Sequence, residues 1–131
     1  MRLRLEEERG AAAVEFAIIL TVLVVILMAI LEFGREFSRL QVFQGAAREG
    51  GRAAAVGEDP ATVGSKVNDA AAPYTLSEAP LVAVSGGGTQ CTADTRGQSV
   101  TVSWDQQFQL DIPFWDAVTM NRQISAVFRC E

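Results

Sequence analysis

From Gly10 to Leu31 the chain reads GAAAVEFAIILTVLVVILMAIL, and between Ala11 and Leu31 only Glu15 and Thr21 are polar. About 21 residues at a rise of about 1.5 Å each span about 30 Å, the thickness of a bilayer's hydrocarbon core. In lipid the backbone finds no water to bond, so such a run is expected to be a helix with every internal N–H and C=O paired within it. A cleaved secretory signal is the competing reading, but its apolar region is about 7–15 residues long and ends at a small-x-small site. Here the run is longer and leads into Leu31-Glu32-Phe33-Gly34-Arg35. The expectation is a retained transmembrane helix over 11–31, preceded by a short head over 1–10.

The one carboxylate in the run, Glu15, is its most informative residue. A charged side chain at mid-membrane costs roughly 2.5–3.5 kcal/mol on insertion scales, less near the interface, so it calls for a partner or a task. Basic residues do not choose the orientation. Arg2, Arg4 and Arg9 precede the span beside Glu6, Glu7 and Glu8, while Arg35, Arg39, Arg48 and Arg52 follow it. The cysteines carry more weight: if Cys91 and Cys130 pair, the C-terminal part lies in an oxidising compartment and the head stays in the cytoplasm.

Of the 131 residues, roughly 100 remain beyond the span, enough for a small domain in the size range where a covalent staple helps. The 11 Lys and Arg against 16 Asp and Glu give a net charge of −5, which offers no footprint for nucleic acid. With no His and two widely separated thiols, the commonest general base and a four-ligand zinc site are both missing. No nucleophile–base pair, phosphate-binding glycine loop or calcium loop can be read. The expectation is a protein that is not an enzyme, with no catalytic residue, no metal and no cofactor.

Past Leu31, Phe33, Phe37, Leu40, Phe43 or Gln44, and Ala47 recur at three- and four-residue steps. This is an amphipathic continuation of the same helix over 32–57, weakened by Gly45, Gly50 and Gly51 and ending between Gly50 and Gly57. Its aromatic stripe, with Phe33, Phe37 and Leu40 foremost, packs either on the chain's own C-terminal domain or on neighbouring subunits.

Residues 58–131 read as a small α+β domain. Asp59 is a helix N-cap and Pro60 the first helical residue; Val63, Val67 and Ala70 or Ala71 form a narrow apolar face, and Pro73 stops the helix near Ala72. The period then changes. Leu81–Val84 reads as a strand, and Ser85-Gly86-Gly87-Gly88-Thr89 as a loop. From Val100 the alternation Val100, Val102, Trp104, Phe108, Leu110 marks a second strand, in which Gln106 is the one violation, a bulge or an exposed end. A third strand over 123–130 puts Ile124, Ala126, Phe128 and Cys130 on one parity. A Cys91–Cys130 bridge closing about 40 residues would contribute roughly 3–4 kcal/mol in the chain-entropy account; the alternative is two buried, reduced thiols. The apolar link Asp111-Ile112-Pro113-Phe114-Trp115 either caps the sheet or presents a contact patch. The fold class is thus α+β: a long N-terminal helix, transmembrane then amphipathic, a short second helix and a small antiparallel sheet of about three strands.

A glycine followed by Ala11-Ala12-Ala13-Val14-Glu15-Phe16 resembles the processing site of type IV pilin-like proteins. Within that class, Arg9-Gly10-Ala11-Ala12-Ala13-Val14-Glu15-Phe16-Ala17, closing with Glu32-Phe33-Gly34-Arg35, is similar to the TadE-like minor pilins, or pseudopilins, of tight-adherence (Flp pilus) systems. The resemblance is specific over about Arg9 to Arg35 and loose beyond. It implies cleavage by a prepilin peptidase between Gly10 and Ala11, with Glu15 as fifth residue of the mature chain. It also implies assembly through Glu15 and Phe16 near the freed amine. The partners implied are a prepilin peptidase, a major Flp-type pilin and other minor pilins, and an inner-membrane assembly platform with, indirectly, its ATPase. The implied location is the bacterial inner membrane, lipid around the span and the C-terminal domain in the periplasm, with incorporation into the extracellular pilus as a further possibility. The competing reading is an unprocessed single-pass envelope protein whose extracytoplasmic domain binds a partner.

Overall fold

The computed structural model describes residues 2–111 and 116–131, with side chains from Gly10 onward. One helix, α1, runs Arg2–Ala55, and its 54 residues make a rod about 80 Å long. A second helix, α2, spans Pro60–Ala71, and three strands follow: β1 Leu81–Val84, β2 Ser99–Leu110 and β3 Val118–Arg129. They form an antiparallel sheet in the order β1-β2-β3. The expected α+β architecture is therefore present.

The core lies between the sheet, α2 and the second half of α1. Phe43 is fully buried, and its ring meets Trp104 and Phe108 edge-on at centroid distances of 6.5 and 6.0 Å. Val63, Val67 and Ala71 form the buried face of α2, as its period required. Gly50 and Gly51 had been expected only to weaken α1; the structure corrects this. A Cβ on Gly50 would collide with Val67 Cγ2, and one on Gly51 would sit 2.5 Å from Phe128 Cδ2. Each glycine gives up roughly 0.5–1 kcal/mol of helix propensity relative to alanine, and in return the α1 backbone lies directly against α2 and β3.

α1 ends as a Schellman motif. Gly57 (φ +86°) donates its N–H to Ala54 O at 3.1 Å, and Glu58 donates to Ala53 O at 3.3 Å. Asp59 then caps α2, its Oδ1 accepting from the N–H groups of Ala61 and Thr62 at 3.0 and 3.1 Å and its Oδ2 from Thr62 Oγ1 at 2.6 Å.

β2 alternates in burial from end to end, and every second residue from Val100 to Leu110 is buried. The expected break at Gln106 is not there. The register runs unbroken from Ser99↔Arg129 to Leu110↔Val118, with Gln106 opposite Arg122 and fully buried. Gln106 is tolerated inside because its amide is bonded, as described below. β3 is also longer than the expected 123–130. It begins at Val118, and residues 118–123 are all exposed, so no alternation marks them; they are strand because β2 offers a partner edge. Ile112 to Trp115, expected to cap the sheet or form a contact patch, lie outside the described residues.

Cys91 and Cys130 are joined in a disulfide, with Cα atoms 5.5 Å apart across 39 residues. The bridge sits where several chain segments meet the end of α1. Glu131 N–H donates to Ala55 O at 3.0 Å, Gln90 Nε2 donates to Gly57 O at 2.7 Å, and Gly97 N–H donates to Cys130 O at 2.8 Å.

Replacing both cysteines by alanine in the full chain should lower stability by roughly 3–4 kcal/mol in the loop-entropy account, read as a lower denaturation midpoint in detergent micelles by Trp104 fluorescence. The Asp59 carboxyl is held below the usual aspartate range, first by the Thr62 hydroxyl bond and then by the Thr62 backbone N–H. Its folded value is the lower one, so its contribution is complete above the ordinary aspartate pKa of about 3.9 and fades as pH falls through the folded value. Asp59→Asn should keep α2 and flatten that acid limb in a circular-dichroism titration.

Candidate functional site

The residues singled out at the N-terminal end all lie on α1. Gly10, Ala11, Glu15 and Phe16 are exposed, and no residue of the most apolar stretch of the helix is buried in the chain. Helical geometry sets Ala11 and Glu15 one turn apart on one face. Thr21 satisfies its hydroxyl locally by donating to Ala17 O at 2.8 Å, whereas among the described residues Glu15 has no hydrogen bond or ion pair. Gly10 is equally without an internal reason: a Cβ there would meet nothing within 4 Å. The contrast with Gly50 and Gly51 is direct, since those two glycines are explained by packing inside the chain.

The aromatic stripe expected to pack as one surface is divided. Phe43 and Ala47 are fully buried, Leu40 is half-buried against the core, and Phe33 and Phe37 remain 60% and 62% exposed. β2 runs antiparallel to the second half of α1, so its end at Phe108 and Leu110 comes down beside Phe33, Phe37 and Leu40. With Met120 of β3 these residues line an open apolar groove of about 560 Å³. Arg39, one residue before Leu40 on α1, holds its guanidinium 5.6 Å from the ring centres of Phe43 and Tyr74 and 5.7 Å from that of Phe108. Glu36 Oε2 stands 3.8 Å from Arg39 Nη1, and Glu32 Oε2 bonds Arg35 Nη1 at 3.1 Å.

The buried polar centre of the domain is Gln106. Its Oε1 accepts from Trp104 Nε1 at 3.2 Å and from the Ser77 N–H at 3.0 Å. Its Nε2 donates to Ser77 Oγ at 2.8 Å, and Ser77 Oγ accepts the Gln107 N–H at 3.1 Å. The amide thus fastens the segment between α2 and β1 to the central strand. Neither this network nor the stacked Arg39 was visible in the periodicity, though the Glu36–Arg39 spacing of three residues was a usable signal. Among the described residues no three His, Cys, Asp or Glu side chains gather as a metal site.

The stretch from Gly10, through the exposed apolar helix and the split aromatic stripe, to the close approach at Gly50 and Gly51 is also the part of the chain that similarity picks out. Residues 10–52 match the family of TadE-like proteins. The match opens at Gly10, which like Gly34 and Gly45 on the same helix would meet nothing with a Cβ, and closes one residue past the glycine pair, about a third of the chain. The matched segment therefore covers the exposed apolar stretch together with the half of α1 that holds the domain. No curated protein and no solved structure matches the chain.

Removing the central amide gives a direct check on the polar centre. Gln106→Leu strands the Trp104 indole N–H and the Ser77 N–H, and a buried donor left unbonded costs about 1–3 kcal/mol. The full chain should denature correspondingly earlier in micelles, with the disulfide still formed.

Proposed function

We propose that this chain is a minor pilin or pseudopilin, trimmed by a prepilin peptidase between Gly10 and Ala11 and taking part in the assembly of a Flp/Tad-type adhesion pilus. The observation that carries the reading is Gly10 itself. It opens the TadE-like match, and no contact within the chain needs a glycine there. A peptidase that must close around the backbone does need one, because a side chain at that point would obstruct it.

Cleavage would free an amine on Ala11, one turn from a carboxylate that has no bonded partner among the described residues. Pairing Glu15 with that amine, its own or a neighbour's, offsets the desolvation of both charges when apolar helices pack side by side. A misregistered neighbour would leave both charges unpaired in a low-dielectric bundle, so the pair acts as a register device. Phe16 beside it supplies packing area. The exported side is assigned to residues 58–131 because the Cys91–Cys130 bridge suits an oxidising compartment. The partners in this reading are the peptidase, a major Flp-type pilin and other minor pilins, membrane lipid, and an inner-membrane platform driven by an ATPase. The role is structural and involves no catalysis.

Intact mass of the protein, expressed in membranes with and without a cognate prepilin peptidase, tests the reading. The expected result is peptidase-dependent loss of Met1 to Gly10 and a mature start at Ala11. Glu15→Gln and Glu15→Ala should still be processed and accumulate in the membrane, yet fail to enter filaments. A retained Met1 beside a peptidase that cuts its usual substrate would overturn the assignment in favour of an unprocessed membrane anchor.

A further inference from the structure

The groove between α1 and the lower ends of β2 and β3 is an exposed apolar surface that the processing chemistry does not use. Besides Phe33 and Phe37, Met120 on β3 is 47% exposed there, and Val118, 44% exposed, opens β3 two residues earlier. Its position along α1 says what covers it. The helix is unbroken from the apolar run into the domain, so there is no linker to hold the domain away from the membrane. Counting about 1.5 Å per residue from Leu31, Phe33 stands about 3 Å and Phe37 about 9 Å beyond the span. Helical side chains lean toward the N-terminus, which brings the Phe37 ring lower still. The headgroup region on each side of the hydrocarbon is about 5–7 Å deep, the level at which aromatic side chains collect.

The charges on α1 at this level are paired, while Asp111 and Asp116 stand exposed beside the ends of β2 and β3. On α1, Glu32 is paired with Arg35 and Glu36 with Arg39, so the band carries no net charge from the helix. Arg122 lines the groove at its β3 side, a cation at the depth of lipid phosphates.

We infer that the groove formed by Phe33, Phe37, Leu110 and Met120 is seated in the headgroup region of the outer leaflet, holding the extracytoplasmic domain down on the membrane before assembly. Lipid there is continuous with the lipid around the exposed apolar face of α1, so the groove is covered without a protein partner. The inference rests on the reading of 11–31 as a membrane span.

The test uses the full chain reconstituted in vesicles of phosphatidylethanolamine and phosphatidylglycerol, with photoreactive p-benzoylphenylalanine in place of Ile19, Phe37, Met120 or Val127. Ile19 reports the span. Val127, exposed on β3 beside the level of Gly51, stands about 30 Å beyond Leu31 and serves as the remote control. After irradiation, lipid adducts at Ile19, Phe37 and Met120 with none at Val127 are the expected result. Lipid adducts at Ile19 alone would leave the span intact and overturn the seating. Protein–protein adducts at Phe37 and Met120 would overturn it in favour of a second copy in the groove. No lipid adduct even at Ile19 would remove the span reading, and the seating with it.

Discussion

Everything beyond the apolar stretch of α1 depends on how closely that helix approaches the domain it carries. At Gly50 and Gly51 the helix backbone meets Val67 and Phe128 with no room for a methyl group between them. Close contact there sets the depth of the core. Seven residues earlier, Phe43 fills the space that opens between helix and sheet and touches Trp104, Phe108 and Tyr74. The order along α1, two large rings exposed, one large ring buried, then only Ala and Gly among the buried residues, is a taper: the sheet lies open against the helix beside the apolar stretch and tight against it at the far end.

The tight end is also the tied end. The disulfide, the Glu131 bond to Ala55 and the Gln90 bond to Gly57 converge on the last turn of α1 and its Schellman closure. A domain of this size buries little apolar surface, and a covalent closure of its longest loop limits the unfolded ensemble where hydrophobic burial alone would leave the fold marginal. Placing the closure beside the helix terminus means that the staple secures the domain to its stalk as well as to itself. The open end, in contrast, leaves Phe33, Phe37 and the lower strand ends uncovered at the point where α1 leaves the apolar run.

One helix thus has two characters. From Ala11 to Leu31 it is apolar on all faces but for Glu15 and Thr21, the composition of a helix that can sit in lipid, and beyond it presents a single apolar face, as a helix packed on a sheet does. The TadE-like match crosses that change of surroundings without a break, covering both the exposed apolar stretch and the part of α1 that carries the domain.

Much of this was legible in the residues alone. The span, the extension of the helix past Leu31, the Asp59-Pro60 start of α2, the alternation along β2 and the parity of Cys130 all follow from periods and caps set by near neighbours along the chain, and Gly10 and Glu15 stood out because they break an otherwise uniform apolar run. Packing decided the rest, since it depends on groups far apart in sequence. Gln106 looked like a fault in a strand, but its amide is satisfied by Ser77, 29 residues away, and burial is acceptable once those bonds exist. Gly50 and Gly51 looked like weak points of a helix until Val67 and Phe128 were placed against them. The first residues of β3 are all exposed and are strand because β2 pairs with them, and Phe33 differs from Phe43 only in what the sheet reaches. A period shows which face of an element is apolar; what covers that face is fixed by the three-dimensional meeting of elements, and no local run of residues encodes it.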